Sequence, residues 1–307
     1  MKIHSQMIVA VCSCSMIVSM AICSWAQSKT GKITFIYTNS LNGIIDACQC
    51  AADPKGGLVK RGYAIAQLKT KYPGAVLLES GDFCSYYPDT LLTKYIMKAY
   101  RHIGYTAVGI GDQEFAAGVS VFNQHINQLP FVGANLYYFN GGRWLSPKKN
   151  ITVTIGTMKI GITAIIDNDA FKYYPNDIIT KIKITDITEA LKKEIAAMEK
   201  MDFIVLLSHC GFEKDKELAA RFPRIGLIVG GHSQTLIKKP VKIGNTFIVQ
   251  AGANGARIGV LDAVINNKYI ASYKHTFIHP RFEDPDDEDI AKMIKEYNDE
   301  IAKQFPR

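Results

Sequence analysis

The stretch "ITFIYTNSLNG", residues 33–43, joins an apolar run to a polar turn and decides how the rest of the chain is interpreted. Residues 33–37 are apolar or β-branched, which predicts a buried strand. Residues 38–43 follow with hydroxyl and amide side chains, at the kind of strand end where α/β sheets present their binding groups. The turn therefore offers only neutral oxygens where a metal site would need an acid or a histidine.

Apolar runs of the same kind recur along the chain and alternate with helical patterns. The predicted strands cover residues 33–38, 75–80, 106–110, 131–136, 203–207 and 225–229. Helical spacing covers residues 92–103, and Asp186 with Glu189 three residues later predicts the start of another helix. Strands alternating with helices predict an α/β protein with largely parallel sheets.

The remaining segments add antiparallel strands and a last helix. Residues 150–166 predict a hairpin that turns at Gly156, and residues 237–280 are rich in strand-forming side chains. Apolar spacing over residues 290–301 predicts a closing helix. No internal repeat or linker separates these segments, so we expect one domain.

The first 26 residues predict export. Lys2 precedes an apolar run over residues 7–23, and Ser24, Trp25 and Ala26 have the small–x–small pattern of a cleavage site. The prediction is a signal peptide over residues 1–26, a domain over residues 27–307, and a periplasmic or other extracytoplasmic location. An uncleaved anchor is the alternative, because an apolar run of about 17 residues only just reaches spanning length.

The charge distribution excludes one class of partner. The formal net charge is +8, and the lysines are scattered in pairs without an arginine-rich arm. Such a spread is typical of a solvated surface that can attract anions. We therefore expect no nucleic-acid binding. We also expect no membrane-spanning segment in the mature chain, because no segment after the signal peptide is apolar for long enough.

Four ionisable side chains follow predicted strands and enter glycine-bearing turns: Asp82, Asp112, His209 and His232. Each alone is commonly a turn former or a hydrogen-bonded structural residue. Four of them at equivalent positions favour a divalent-metal site, and carboxylate with imidazole suits zinc, manganese or iron.

The order of these motifs resembles that of the calcineurin-like metallophosphoesterases, and most closely the catalytic N-terminal domain of periplasmic 5′-nucleotidases. The matching segments are residues 38–43, 56–61, 80–82, 109–115, 133–135, 208–209, 230–234 and 248–262. The resemblance implies a four-layer α/β/β/α sandwich with a two-metal site at the strand ends. It also implies that Asp82, Asp112, His209 and His232 bind the second metal and that Gln234 is a possible ligand of the first.

The chain departs from the family pattern at three positions. Ser40 and Asn42 stand where the family has the aspartate and histidine of its first metal, and Gln113 stands where the family has a histidine that assists catalysis. Hydrolases of this kind use two metals to activate the nucleophile and clamp the phosphoryl group. The departures predict one occupied metal site, a second site that is empty or weak, and no confidently assigned catalytic residue.

Two functional interpretations remain open. The first is a catalytically impaired protein that serves as a binding or assembly subunit of an extracytoplasmic complex. The second is an active one-metal or atypical hydrolase of phosphate esters, nucleotides or related sulfur anions. Family 5′-nucleotidases bind the base through a further C-terminal domain that is not recognised in this sequence, so we do not expect nucleotide specificity to carry over.

Cysteines and tyrosines supply the remaining candidates. Beyond the signal peptide the cysteines are Cys48, Cys50, Cys84 and Cys210. In an exported protein they predict disulfides first, with a thiolate metal site or free thiols as alternatives. Aromatic residues that either cover core edges or form a surface for a protein partner are Tyr86, Tyr87, Tyr137, Tyr138, Phe139, Trp144, Tyr173 and Tyr174.

Overall fold

A computed structural model describes residues 29–48 and 57–304. The predicted signal peptide and Cys50 lie outside the described residues. The strands are β1 Thr30–Thr38, β2 Val76–Glu79, β3 Ala107–Val108, β4 Leu136–Asn140, β5 Arg143–Leu145, β6 Asn150–Ile155, β7 Met158–Ile166, β8 Ile182–Ile184, β9 Phe203–His209, β10 Leu227–Gly230, β11 Val241–Ile243, β12 Thr246–Val249, β13 Ile258–Asn266 and β14 Tyr269–Ile278. The helices are α1 Gly57–Lys71, α2 Thr90–Ile103, α3 Val119–His125, α4 Asn176–Ile179, α5 Ile187–Ala197, α6 Phe212–Arg221 and α7 Glu288–Gln304.

The strands form two large sheets and one small sheet in the part of the chain that the structure describes. The first large sheet has the order β14-β13-β1-β2-β3 and the second β11-β12-β10-β9-β7-β6, while β5-β4-β8 form the small one. Strands β1, β2 and β3 are parallel, as are β7, β9, β10 and β12. Because the carboxyl ends of parallel strands meet at one edge, the turns after β1, β2, β9 and β10 are brought together.

Three apolar clusters separate four layers. The largest side chains between the two sheets include Phe35 and Tyr37 from the first sheet and Phe203 from the second. A second cluster packs α1, α2 and α7 onto the outer face of the first sheet, and a third packs α5 and α6 onto the second. The predicted α/β/β/α sandwich is therefore confirmed.

Most predicted elements are present, and local chemistry explains their ends. Asp186 caps α5, its carboxylate accepting from the Glu189 amide at 2.9 Å, as the capping pattern predicts. Helix α2 ends at Gly104, which adopts φ +73° and whose N–H donates to the Tyr100 carbonyl.

One predicted strand is wrong. Residues 131–136 form only isolated bridges at Phe131 and Val132, and the strand in this region begins at Leu136. The apolar side chains of this segment are buried beside the end of β3 without continuing a ladder. Burial of an apolar run does not by itself require a strand, which is why the pattern misled.

No helix among the described residues is both long enough and apolar enough to cross a membrane.

Candidate metal centre

The four predicted ligands lie together at the strand ends. One potential ligand atom from each of Asp82, Asp112, His209 and His232 lies within 4.8 Å of the others. Asp82 follows β2, His209 ends β9 and His232 follows β10, while Asp112 follows β3 by four residues. The parallel arrangement of these strands is what gathers side chains that are up to 150 positions apart in the sequence.

His209 is held in one tautomer and aimed at the carboxylates. Its Nδ1 donates to the Ser80 carbonyl at 2.8 Å, which leaves the lone pair on Nε2. That Nε2 lies 3.2 Å from Asp82 Oδ1 and 3.4 Å from Asp112 Oδ1. It is fully buried and makes no hydrogen bond to any described residue, and the same holds for Asp112 Oδ1. Buried nitrogen and oxygen atoms that converge without hydrogen bonds fit a divalent ion.

The pKa shifts of His209 and Asp112 fit a site for a divalent ion. Burial alone would lower the pKa of His209, but the carboxylates of Asp82 and Asp112 outweigh it and raise that pKa well above its ordinary value. Burial alone would raise the pKa of Asp112, but the neighbouring imidazoles of His209 and His232 hold that pKa below its usual range. Asp112 is thus ionised, and a metal ion and a proton compete for the same histidine nitrogen.

Glycines allow the ring of His209 to enter this crowded space. A Cβ on Gly111 would lie 2.3 Å from Asp82 Oδ1 and 2.7 Å from His209 Cε1. A Cβ on Gly231 would lie 2.9 Å from His209 Nδ1. Neither position leaves room for a side chain beside the cluster.

Glu114 supports the Asp82 turn from beneath. Its buried carboxylate accepts from the backbone amides of Asp82, Phe83, Cys84 and Gly111 at 3.0, 2.9, 3.2 and 2.6 Å. Burial, followed by the charge of Asp82, raises the pKa of Glu114 to about 7. This role of Glu114 was not predicted, and its position two residues after Asp112 was the only signal for it in the sequence.

The three departing residues lie beside the cluster and are engaged with neutral partners. Asn42 accepts from Gln113 Nε2 at 3.1 Å and donates to Asn254 Oδ1 at 2.7 Å. Ser40 Oγ accepts from Asn39 Nδ2 at 3.2 Å. We call Asn42, Gln113 and Asn254 the amide network. Asn254 was not predicted, and only its place in the 248–262 motif pointed to it.

The loops around the centre have an uncommon backbone. Six of the eight non-glycine residues with positive φ among the described residues lie on these loops: Ser40, Asn42, Asp82, His232, Gln234 and Asn254. Such residues are uncommon and cluster at functional sites where surrounding structure holds them. Here the backbone amides of Ser40 and Asn42 donate to the carbonyls of Gly81 and Asp82 at 3.0 and 2.8 Å.

Gln234, the other possible ligand, has a different partner. Its amide donates to the hydroxyl of Tyr86. Its side chain thus links the loop after β10 to the loop after β2.

The cysteines take two states. Cys48 is disulfide-bonded, whereas Cys84 and Cys210 are free thiols. Burial raises the pKa of both free thiols well above the ordinary value. Neither belongs to the metal-ligand cluster identified among the described residues.

The predicted aromatic residues divide into separate groups. Tyr138 is 2% exposed and packs on Phe115 and Phe122, so it is a core residue and not part of a partner surface. Tyr137 and Trp144 lie on β4 and β5, while Tyr87 is exposed in the loop after β2. Tyr86, Tyr173 and Tyr174 line a cleft of about 650 Å³ that Asp112 and His232 also line.

The fold and these ligands define the class: the chain has the calcineurin-like metallophosphoesterase fold. It is similar to a 5′-nucleotidase precursor from Thermus thermophilus (TM-score 0.79, 20% identity, 90% of this chain and 60% of that one). It is also similar to the calcineurin-like phosphoesterase YfkN from Bacillus subtilis (TM-score 0.75, 16% identity, 91% and 100%).

Relatives in sequence are 5′-nucleotidases and other nucleotide phosphoesterases. Bovine 5′-nucleotidase is 25% identical over 282 residues, which cover 82% of this chain and 48% of the relative. An apyrase from Aedes aegypti is 33% identical over 144 residues, which cover 44% and 25%. The chain spans about half the length of the 5′-nucleotidases it matches. No protein-family model matches the chain.

Proposed function

We propose that this chain is an exported metallophosphoesterase-fold protein that holds one divalent ion and binds anions with it, while two-metal hydrolysis is impaired. Asp82, Asp112, His209 and His232 would hold the ion. The protein would act as a binding or assembly subunit of an extracytoplasmic complex. The predicted signal peptide and the similarity to a 5′-nucleotidase precursor support export.

The observation that carries this proposal is the contrast between the two halves of the centre. On one side, converging carboxylate and imidazole atoms lack hydrogen bonds and fit a cation. On the other side, Asn42 Oδ1 already accepts a hydrogen bond from Gln113 Nε2, and both side chains are neutral. A neutral oxygen that already has a partner competes poorly with water for a dication. An ion at the family's first metal site would therefore lack both the carboxylate and the imidazole that bind it in the family.

The chain's own residues can still position an anion. A bound divalent ion would act as a Lewis acid toward a phosphoryl or related oxygen. His209 is fixed by its hydrogen bond to the Ser80 carbonyl, and the turn that carries Asp82 is fixed by the backbone N–H groups that donate hydrogen bonds to the Glu114 carboxylate. Gln113 can offer an amide to the ligand but cannot supply the proton transfer of a histidine, which is typically worth about a hundred- to ten-thousand-fold in rate.

Metal analysis of the purified protein tests the proposal. We expect about one zinc, manganese or iron ion per chain, together with negligible turnover of nucleotides and 4-nitrophenyl phosphate when these metals are in excess. Two ions per chain at full occupancy would overturn the one-metal part. Robust turnover that Asp82→Ala abolishes would overturn the loss of hydrolysis.

A second candidate is an active one-metal hydrolase of phosphate esters or related anions. The observation in its favour is the cleft beside Asp112 and His232, because substrate sites are typically concave and lined by apolar groups with a few polar ones. Turnover dependent on His232 but unaffected by Asn42→Ala would favour it over the binding role.

A further inference from the structure

We infer that the cleft beside the metal centre is a subsite for a flat aromatic ring carried by the bound anion. This inference rests on the proposed function, since the metal ion would hold the anionic end of the same ligand. It adds a ligand class that the metal ligands alone do not specify.

The cleft is continuous with the metal centre. Asp112 and His232 form one end of it, and its remaining wall is supplied by the loops after β2 and β7 and by residues 116–118. Its volume of about 650 Å³ is within the usual range of about 300–1,000 Å³ for small-molecule sites. A ligand bound to the ion by one end would therefore extend its other end into this space.

Tyrosines give the cleft its selectivity. Tyr86 and Tyr173 are 51% and 89% exposed, so their rings are available to a ligand rather than committed to the core. Tyr86 is oriented by the bond from Gln234, two residues beyond His232, which keeps its ring beside the centre. Tyr174 is more enclosed and packs edge-on against Phe171 at 5.4 Å. Flat rings stack on such side chains with little dependence on their substituents.

Small residues in the lining of the cleft leave room for the ring. Ala116, Ala117 and Gly118 line it, and a Cβ added to Gly118 would meet no atom within 4 Å. Two carboxylates, Asp169 and Asp177, also line the cleft and can accept hydrogen bonds from donor groups on the ligand. The arrangement suits an anion at one end, a flat ring in the middle, and N–H or O–H groups at the edge.

Binding of non-hydrolysable phosphonates to the metal-loaded protein tests the inference independently of catalysis. We expect phenylphosphonate to bind about tenfold more tightly than methylphosphonate by calorimetry. The two ligands share the phosphonate group and differ in that a phenyl ring replaces the methyl group, so the difference reports stacking of the ring. Cyclohexylphosphonate, with a ring of the same size that is not flat, should gain much less. The Tyr86→Ala/Tyr173→Ala double variant should lose most of the phenyl advantage while binding methylphosphonate as the unaltered protein does.

Two controls make the result specific. Tyr86→Phe/Tyr173→Phe removes the hydroxyl that Gln234 holds but keeps both rings, and it should keep most of the phenyl advantage because the rings and not the hydroxyls stack on the ligand. Tyr87→Ala removes an exposed neighbour that does not line the cleft, and it should change nothing. Equal binding of phenyl- and methylphosphonate, or a phenyl advantage that survives the double alanine variant, would refute the subsite and leave the metal–anion proposal standing. No binding of methylphosphonate by the metal-loaded protein would refute both.

Discussion

At the scale of single residues, the amide network pairs both polar atoms of the Asn42 side chain, at a position where the family has a metal ligand. Asn42 uses its oxygen for Gln113 and its nitrogen for Asn254. An unpaired buried amide would cost about 1–3 kcal/mol. Asn42 avoids this cost, whereas Gln113 donates to Asn42 but has no hydrogen-bond partner for its own buried Oε1 among the described residues.

Single substitutions should separate the two halves of the centre. His232→Ala removes one of the four proposed ligands and should lower the metal content from the proposed one ion per chain to well below half, as measured by elemental analysis after dialysis. Ser40→Ala should leave the metal content unchanged, because the Ser40 hydroxyl contacts only Asn39 among the described side chains. Equal metal loss in both variants would contradict the assignment.

Restoring the family residues should restore a second ion. The variant Ser40→Asp/Asn42→His/Gln113→His places a carboxylate and two imidazoles beside Asp82, and aspartate and histidine are among the residues that accept the left-handed backbone of positions 40 and 42. We expect two ions per chain and at least a tenfold rise in hydrolysis of 4-nitrophenyl phosphate with manganese. Adding His232→Ala to this variant is the matched control and should abolish the gain. A metal content that stays at one would show that the frame no longer supports the first site.

At the scale of elements, α6 carries a buried acid that the metal centre does not use directly. Asp215 is fully buried, and neither carboxylate oxygen has a hydrogen-bond partner among the described residues. A Cβ on Gly230 would lie 2.5 Å from Asp215 Oδ2, so the helix packs closely under the end of β10. Burial raises the pKa of Asp215 to about 7.

This shift makes stability depend on pH in an unusual direction. Between its ordinary pKa of 3.8 and about 7, the folded protein holds a proton on Asp215 that the unfolded chain has lost, so the free energy of unfolding falls as pH rises. Asp215→Asn stays neutral, and its stability relative to the unaltered protein should improve by about 2–3 kcal/mol from pH 5 to pH 8. Urea unfolding at both pH values measures this.

Asp299→Asn is the control for that experiment. The side chain of Lys295 holds the pKa of Asp299 below its ordinary value, so its titration lies entirely below the range tested. Its relative stability should be the same at pH 5 and pH 8. If Asp215→Asn behaves as Asp299→Asn does, the buried acid is not neutral in the folded state.

Much of the element order and the four gathered ligands could be predicted from the sequence. Strand runs, the cap at Asp186 and the glycine turns are local patterns, and parallel strands then gather Asp82, Asp112, His209 and His232. The residues that support the metal centre were harder to predict. The roles of Glu114 and Asn254 depend on which backbone amides and side chains the fold brings beside them. The strand predicted over residues 131–136 was wrong for the same reason. Whether a segment forms a strand depends on the strands that lie beside it in the fold, and an apolar run alone does not determine this.

At the scale of the whole molecule, the proposed assembly role would place a protein partner on an exposed aromatic pair. Phe139 and Trp144 face each other across β4 and β5 with ring centroids 5.5 Å apart, and both are exposed. Lysine side chains nearby, including Lys149 over the Tyr137 ring at 3.9 Å, give this face positive charge. A stable interface needs about 800 Å² from each partner and commonly centres on such rings.

Removing the pair tests the assembly role. Phe139→Ser/Trp144→Ser should lower the amount of partner recovered with the protein from its native source by about tenfold, with unfolding unchanged. Tyr273→Ser, an exposed aromatic residue on β14, is the control and should leave recovery unchanged. A native protein that sediments as a lone monomer at cellular concentration would exclude the assembly role.

Two asparagines of the amide network are susceptible to deamidation. Asn42 and Asn254 are each followed by glycine, the neighbour that least hinders attack of the next backbone nitrogen on an asparagine side chain. That attack deamidates asparagine and would place new carboxylates in the amide network, so ageing alone would add negative charge close to Ser40, where the family has a carboxylate. The Gly43 amide donates to the Phe83 carbonyl at 3.3 Å, and the Asn42 oxygen is held by Gln113, so folding should slow this reaction. We expect mass spectrometry of peptides from protein stored at pH 9 to show slow conversion at Asn42 when the chain is folded and rapid conversion in urea.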